Sequence, residues 1–183
     1  MLTSSNFPEW LMRALVIRFG IRQLIETGTY EGATAIQAAG ILPLVHTIEI
    51  SRSWYRSVAK ECLQNPRIKR HQGDSVEIVP TLLPCLQGPT LWWLDGHWSG
   101  QGPKYSVECP VVEELGLIHD RQQDVVVVDD ARMFEAPPGP PHDPAQWPTL
   151  EAVVQGLRGT VGRHVVRALD LLIATPTPLW EVL

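Results

Sequence analysis

Two apolar stretches of the sequence run directly into acidic residues. Residues 91–94 (LWWL) precede Asp95-Gly96-His97, and residues 125–128 (VVVV) precede Asp129-Asp130. Continuous apolar runs of this kind are typical of central strands in a parallel sheet that is covered on both faces. Such strands deliver their acids to one rim, where open α/β sheets bind ligands. Three carboxylates gathered there beside an imidazole repel one another unless they are protonated or neutralised, so the pattern predicts a divalent-metal site.

A glycine turn is the second chemical signature. Residues 26–32 read ETGTYEG, and Gly28 and Gly32 allow a ligand to approach the backbone closely. The spacing is G-x-x-x-G rather than the dinucleotide fingerprint G-x-G-x-x-G, which argues against NAD. Glu49 ends the next predicted strand, where it can accept hydrogen bonds from a ribose diol, and Asp74 ends the third. Acids at three successive strand ends fit a ligand with ammonium, hydroxyl and amino donors rather than a pyrophosphate.

Strands and helices alternate along the chain and must position these residues. An entry helix is predicted over residues 8–19. The strands that follow are predicted at 23–27, 45–50, 68–72, 90–94 and 124–128, and the helices at 33–39, 53–64, 75–83, 110–117 and 149–157. The repeated strand–helix order predicts a doubly wound, mostly parallel α/β sheet. Residues 163–169 and 171–175 predict a closing pair of strands.

The length and composition predict a single domain over residues 1–183, with an entry helix within 1–20 and a proline-rich loop at 136–148. The chain has 183 residues, 44% of them hydrophobic and 19% charged, which suits one core and is too short for two ordinary domains. The net charge of −5 gives no general basic footprint, so no nucleic-acid partner is expected. The proline-rich loop is either a spacer or a lid that contacts substrate.

The cysteine pattern and the hydropathy predict a cytoplasmic protein without a membrane partner. Cys62, Cys85 and Cys109 are odd in number and widely spaced, which favours neither a disulfide framework nor a structural zinc site. No apolar run has the features of a signal peptide or the length of a membrane span.

In the order of these motifs, the chain resembles the class I S-adenosylmethionine (SAM)-dependent methyltransferases. The resemblance rests on residues 26–32, on Ile48-Glu49-Ile50-Ser51 and on Gly73-Asp74-Ser75, and it extends over roughly residues 23–182. It implies a Rossmann-like sheet of seven strands, mostly parallel, whose last strand is antiparallel.

The same resemblance implies a SAM site along the rim. Glu26 and Gly28 would lie beside the methionine portion, Glu49 would bind the ribose hydroxyls, and Asp74 with Ser75 would face the adenine. The rest of the implied cofactor-binding set is Thr29, Tyr30, Gly32, Ile50 and Asp95. As residues alone, Glu26 and Glu49 could equally be ordinary solvated acids at strand ends.

A narrower resemblance covers the two acidic strand ends. Leu94-Asp95-Gly96-His97-Trp98, followed by Asp129-Asp130, is similar to the metal site of the catechol and antibiotic-sugar O-methyltransferases. It implies that Asp95, Asp129 and Asp130 bind Mg²⁺ or another divalent cation, which would lower the pKa of a small hydroxylated acceptor. A helix-capping role for Asp129-Asp130 is the competing interpretation.

The general base is the open question of this resemblance. The catechol enzymes have a lysine shortly after the first metal acid, whereas residues 96–100 here read GHWSG. His97 is the best replacement, because an unperturbed imidazole has a pKa near 6.5. It could instead bind the metal or fix the loop, and Lys104 and Glu108 are fallback candidates.

Several alternatives stay open at this point. One is a cofactor-binding or regulatory protein without turnover, and another is a nicotinamide-dependent oxidoreductase or a metal-dependent hydroxylase on a similar scaffold. Trp92, Trp93, Trp98 and Trp147 could form an aromatic wall for a planar acceptor, although Trp92 and Trp93 suit the core better. An apolar entry helix allows a homodimer, with that helix at the interface or over the cofactor.

Overall fold

The computed structural model describes residues 7–100 and 107–179. Its strands are β1 (Gln23–Thr27), β2 (Leu44–Glu49), β3 (Ile68–Gln72), β4 (Thr90–Leu94), β5 (Val125–Val128), β6 (His164–Ala168) and β7 (Leu171–Thr175). Its α-helices are α1 (Glu9–Phe19), α2 (Ala33–Ala39), α3 (Arg52–Ser57), α4 (Lys60–Gln64), α5 (Ser75–Leu82), α6 (Val111–Leu117) and α7 (Leu150–Arg158). Short 3₁₀ turns follow α5 and β5 and interrupt the proline-rich loop.

The seven strands form one sheet in the order β3-β2-β1-β4-β5-β7-β6. Strands β1 to β5 are parallel to one another, and β7 runs antiparallel to both β5 and β6. The predicted seven-stranded, mostly parallel sheet with an antiparallel last strand is confirmed. Strands β2 and β3 lie on one side of β1, whereas β4 and β5 lie on the other side. This change in strand order between β1 and β4 opens a crevice at the carboxyl ends of the two strands.

Two apolar layers cover the faces of this sheet. On one face, Phe7 and α1 pack with α2, and the ring of Phe7 stacks on Trp93 at 4.7 Å. On the other face, Trp92 packs among residues of α6 and α7, and its indole N–H donates to Asp124. Both tryptophans are fully buried, so they belong to the core and do not form an acceptor wall.

The predicted helix at 53–64 is wrong in one respect, because it is two helices. Val58 and Ala59 adopt extended backbone angles between α3 and α4. This break buries Val58 against Gly32, and the N–H of Ala59 donates to the carbonyl of Glu31 at 3.2 Å. A contact with the distant glycine turn therefore outweighs the local helical pattern.

Helix α1 lies away from the crevice and presents an apolar outer face. Trp10 and Ile17 are 66% and 82% exposed. No described residue of this helix lines the crevice, which argues against a position over the cofactor, and the homodimer stays a prediction. Among the described residues, no helix is long and apolar enough to cross a membrane.

Candidate functional site

A cavity of about 380 Å³ lies at the carboxyl edge of β1, β2 and β4. It brings together most of the residues that the sequence predicts for the site: Gly28, Tyr30, Glu49, Ile50, Asp74, Ser75, Asp95, His97 and Asp130. Ser51, Trp54, Trp98, Ser99, Val107 and Pro110 complete its polar and apolar wall. One continuous space therefore joins the ends of the second, third and fourth strands.

Glu49 is held rigidly at one end of the cavity. Its Oε2 accepts the N–H of Tyr30 at 2.9 Å, and its Oε1 accepts the N–H of Ser51 at 2.7 Å. Burial raises the pKa of Glu49, and these backbone donors counteract that rise. Tyr30 has a left-handed φ of 48°, which aims its N–H at the carboxylate. A carboxylate has about four acceptor sites, so Glu49 keeps acceptor capacity for a ligand.

An aromatic pair stands beside Glu49. The rings of Tyr30 and Trp54 meet at 4.4 Å between centroids, and both residues line the cavity. Trp54 is absent from the predicted set. The sequence does carry a signal for it, because this tryptophan lies in the first turn of α3, which follows the acidic end of β2. A side chain at that position can contact a ligand bound at the strand end.

Gly28 is needed because the chain passes very close to another loop. It has a φ of 86°, and a Cβ built there would lie 2.2 Å from the carbonyl oxygen of Asp95. The glycine turn thus fixes the distance between the ends of β1 and β4. The close approach seen at Gly28 is that of the chain segment at Asp95, and the approach of a ligand to this glycine stays a prediction.

Three of the predicted cofactor-binding residues lie outside the lining of the cavity. Glu26 is buried and accepts a hydrogen bond from Thr47 at 2.5 Å, and Thr29 is bonded to the same hydroxyl. Gly32 packs against Val58 and Cys62. These residues support the wall from behind rather than forming its surface.

The buried Glu26 predicts a pH-dependent stability. Burial raises its pKa from 4.5 to about 8, and the charges of Asp95 and Glu49 add to the rise. Because the folded-state pKa exceeds the unfolded value, Glu26 stabilises the fold fully below pH 4.5, and that contribution is lost as the pH rises to about 8. We expect Glu26→Gln to remove this loss. The difference between the Tm at pH 6 and the Tm at pH 9 should therefore be smaller in this variant than in the wild type. An unchanged pH dependence would contradict the assignment.

The second end of the cavity is a cluster of two carboxylates bridged by an imidazole. His97 Nε2 lies 2.9 Å from Asp130 Oδ2, and Nδ1 lies 3.6 Å from Asp95 Oδ1. Burial by itself lowers the pKa of His97, but the hydrogen bond to Asp130 and the nearby carboxylates raise it above its usual value. Burial raises the pKa of Asp95 to about 7, partly offset by His97.

Arg132 completes this cluster from the outside. Its Nη1 lies 2.6 Å from Asp130 Oδ1 and also pairs with Asp170. Burial raises the pKa of Asp130, but His97 and Arg132 outweigh that effect and lower it overall. Arg132 is a residue that the sequence analysis misses, and its signal is the basic side chain two positions after the acidic pair.

The three predicted metal ligands do not meet around one point. Asp129 is almost fully buried and accepts the N–H of Asp130 at 2.8 Å. With Glu114 it lines a small second cavity, whereas Asp95 and Asp130 line the large one, and His97 borders both. No group of three or more His, Cys, Asp or Glu side chains in the described ranges is arranged to hold a metal ion. This donor set does not fit Mg²⁺ as it stands, and metal binding stays a prediction.

The proline-rich loop is tied to the site through Glu108. The carboxylate of Glu108 accepts hydrogen bonds from the ring of His142 at 3.1 Å, the N–H of Asp143 at 3.0 Å and the indole of Trp147 at 3.2 Å. Trp147 in turn packs on the ring of His97, with 5.4 Å between centroids. Glu108 is fully buried and does not line the cavity, which argues against a role as base, and Lys104 lies outside the described residues.

Glu108→Ala is expected to release this loop. The change removes the acceptor of three hydrogen bonds and leaves buried donors unpaired, which costs about 1–3 kcal/mol for each group left without a partner. We expect a lower free energy of unfolding in urea and faster proteolytic cleavage within residues 136–148. The exposed neighbour Glu113→Ala is the matched control. Equal cleavage rates in the two variants would show that Glu108 does not anchor the loop.

Comparisons with known proteins show the fold. No protein-family model matches the sequence, and no curated protein matches it. The structure is similar to that of the O-methyltransferase TomG from Streptomyces achromogenes, which is involved in tomaymycin synthesis and was solved in complex with SAM. Identity is 21%, coverage is 97% of this chain and 82% of that one, and the TM-score is 0.65.

Two further solved structures agree with this result. The O-methyltransferase from Bacillus cereus in complex with S-adenosylhomocysteine (SAH) is 13% identical over 94% of this chain and 82% of its own, with a TM-score of 0.64. A caffeoyl-CoA O-methyltransferase-like protein from Staphylococcus aureus is 12% identical over 95% of this chain and 85% of its own, with a TM-score of 0.66. At these identities the likeness shows a Rossmann-like methyltransferase fold, as the sequence resemblance predicts.

Proposed function

We propose that this chain uses SAM to methylate an oxygen of a small hydroxylated acceptor. The observation that carries the proposal is the single cavity that joins the oriented carboxylate of Glu49 to the Asp95–His97–Asp130 cluster. The similar solved structures support it, since TomG was solved with SAM and the Bacillus cereus enzyme with SAH.

The charge of the cavity favours SAM as the methyl donor. Glu49, Asp74, Asp95 and Asp130 line it, and none of its described lining residues is a lysine or arginine. A carboxylate-lined site attracts the cationic sulfonium and the ammonium group of SAM and repels a pyrophosphate. This electrostatic preference weighs against the nicotinamide-dependent alternative.

Glu49 and Asp74 would hold the adenosine portion. Glu49 is fixed by two backbone donors and offers its remaining lone pairs to the ribose hydroxyls. Asp74 caps α5 by accepting the N–H of Val76 at 2.9 Å, which places it with Ser75 at the cavity edge. The flat faces of Tyr30 and Trp54 suit contact with the nucleoside.

His97 is the proposed general base. When bound, SAM supplies a methyl group on a positively charged sulfur. In its neutral form, His97 donates its Nε2–H to Asp130 and keeps Nδ1, which faces Asp95, able to accept a proton. His97 would take the proton of the acceptor oxygen at Nδ1 while that oxygen takes the methyl group, and SAM would leave as SAH. Asp95 and Asp130 then stabilise the imidazolium.

The acceptor is proposed to bind beside Trp98. Trp98, Val107 and Pro110 give this part of the wall an apolar and aromatic character next to His97. Such a surface suits a small, neutral ring bearing a hydroxyl group, with the ring against Trp98.

Transfer of a radiolabelled methyl group tests the proposed activity. The purified chain is incubated with methyl-labelled SAM and a panel of catechols, phenols and hydroxylated sugars, and labelled product is separated from unused SAM. We expect labelled ether product with at least one acceptor class and equal formation of SAH. SAH binding without transfer to any acceptor would favour the non-catalytic alternative, to which the lack of a lysine among the described lining residues also points.

A further inference from the structure

We infer that methyl transfer by this chain is independent of a divalent cation, because the side chains of His97 and Arg132 occupy the contacts with the acidic rim that such a cation would need. The inference rests on the proposed function and specifies how its acceptor is activated. It follows from where these two side chains lie among the carboxylates at the ends of β4 and β5.

The ring of His97 separates the carboxylates that a metal would have to join. One ring nitrogen faces Asp95 and the other faces Asp130, so the imidazole bridges the pair. Asp129 lines a different, smaller cavity, which it shares with Glu114 and which His97 also borders. A hard cation needs its oxygen ligands within about 2.0–2.6 Å. In the part of the chain that the structure describes, the three carboxylates are not arranged to do this, and His97 already contacts two of them.

Both oxygens of Asp130 are already paired. Oδ2 is bound to His97 at 2.9 Å, and Oδ1 is bound to Arg132 at 2.6 Å. Arg132 is also paired with Asp170, which holds the guanidinium at this position. The backbone N–H of Arg132 also donates to the carboxylate of Asp170, at 2.9 Å. The protein therefore supplies its own positive charge to the carboxylate that would be the outermost metal ligand.

Packing also keeps His97 in place. Its side chain is only 10% exposed, and Trp147 of the proline-rich loop covers it. Glu108 fixes Trp147 in turn by accepting the indole N–H. The position of the imidazole is therefore set by the loop as well as by the two carboxylates, and a cation would have to displace all of these contacts.

Binding of Mn²⁺, followed by electron paramagnetic resonance, tests this inference without any need for turnover. We expect the wild-type chain to bind no stoichiometric Mn²⁺. The double variant His97→Ala/Arg132→Ala removes the imidazole and the guanidinium and opens the space between the carboxylates, so its affinity for Mn²⁺ should be roughly tenfold or more above that of the wild type. A second double variant, His97→Gln/Arg132→Gln, repeats the test with closer side-chain volumes, and circular dichroism verifies that each variant folds.

One Mn²⁺ per wild-type chain, lost in Asp129→Ala, would overturn the inference. So would a pair of folded double variants that gain no affinity for Mn²⁺. Methyl transfer provides a second arm: we expect the rate to change less than twofold when EDTA replaces Mg²⁺, and a loss of activity that Mg²⁺ restores would contradict the inference. If no acceptor is methylated, the proposed function fails, and the Mn²⁺ measurement still decides the question of the cation.

Discussion

Replacing Glu49 with alanine should weaken the binding of SAH by roughly 100-fold. The proposed site gives the ribose two hydrogen bonds to a charged acceptor, each contributing about 1.5–3 kcal/mol, and tenfold in affinity corresponds to about 1.4 kcal/mol. Glu49 is already held by Tyr30 and Ser51, so the wild-type residue loses little side-chain freedom when the ligand binds. Isothermal titration calorimetry measures the dissociation constants directly.

Two further variants separate binding from folding in this experiment. Glu49→Gln keeps the size of the side chain and one carbonyl acceptor, so we expect a smaller loss than with alanine. Glu61→Ala changes an exposed glutamate of α4 and should leave the dissociation constant unchanged. Equal affinity of Glu49→Ala and Glu61→Ala, with both variants folded, would show that Glu49 does not bind the cofactor.

Replacing His97 with alanine should lower kcat for methyl transfer by about 10²–10⁴, which is the usual contribution of a general base. His97 lies at the acceptor end of the cavity and away from Glu49, so the dissociation constant for SAH should change by less than about threefold. Single-turnover rates with saturating SAM, together with calorimetry, separate the two effects.

The exposed His119 provides the matched control for His97. It lies at the end of α6 and makes a hydrogen bond to the backbone of Gly116, far from the cavity lining. His119→Ala should keep the wild-type kcat. Added imidazole should restore part of the activity of His97→Ala, because the small base can occupy the emptied space. A kcat for His97→Ala within a few-fold of the wild type would exclude His97 as the base.

The sheet and its rim could be predicted because they depend on local patterns. Strands β4 and β5 are buried at every position and apolar except for Thr90, since both faces of the sheet are covered, and their acids mark where they end. The positions of Gly28, Glu49 and Asp95 at one edge follow from the parallel order of the strands. These parts of the site required no knowledge of distant contacts.

The rest of the site depends on contacts between segments that are remote in sequence. Glu26 is a buried acid that accepts a hydrogen bond from Thr47 of the neighbouring strand. Its position at a strand end does not by itself show whether the side chain faces a ligand or the core. Trp147 reaches His97 because Glu108 fixes the proline-rich loop, and composition does not specify such a loop conformation. The sequence shows an acidic pair at Asp129-Asp130, but not that the two carboxylates line different cavities, both of which His97 borders.

Calorimetric titration of the wild-type chain with SAH, once in EDTA and once in Mg²⁺, tests the central claim most directly. The proposed site predicts one SAH bound per chain, with the same affinity under both conditions. Absence of binding under both conditions would contradict the claim that this cavity is a SAM site, and with it the proposed methyl transfer.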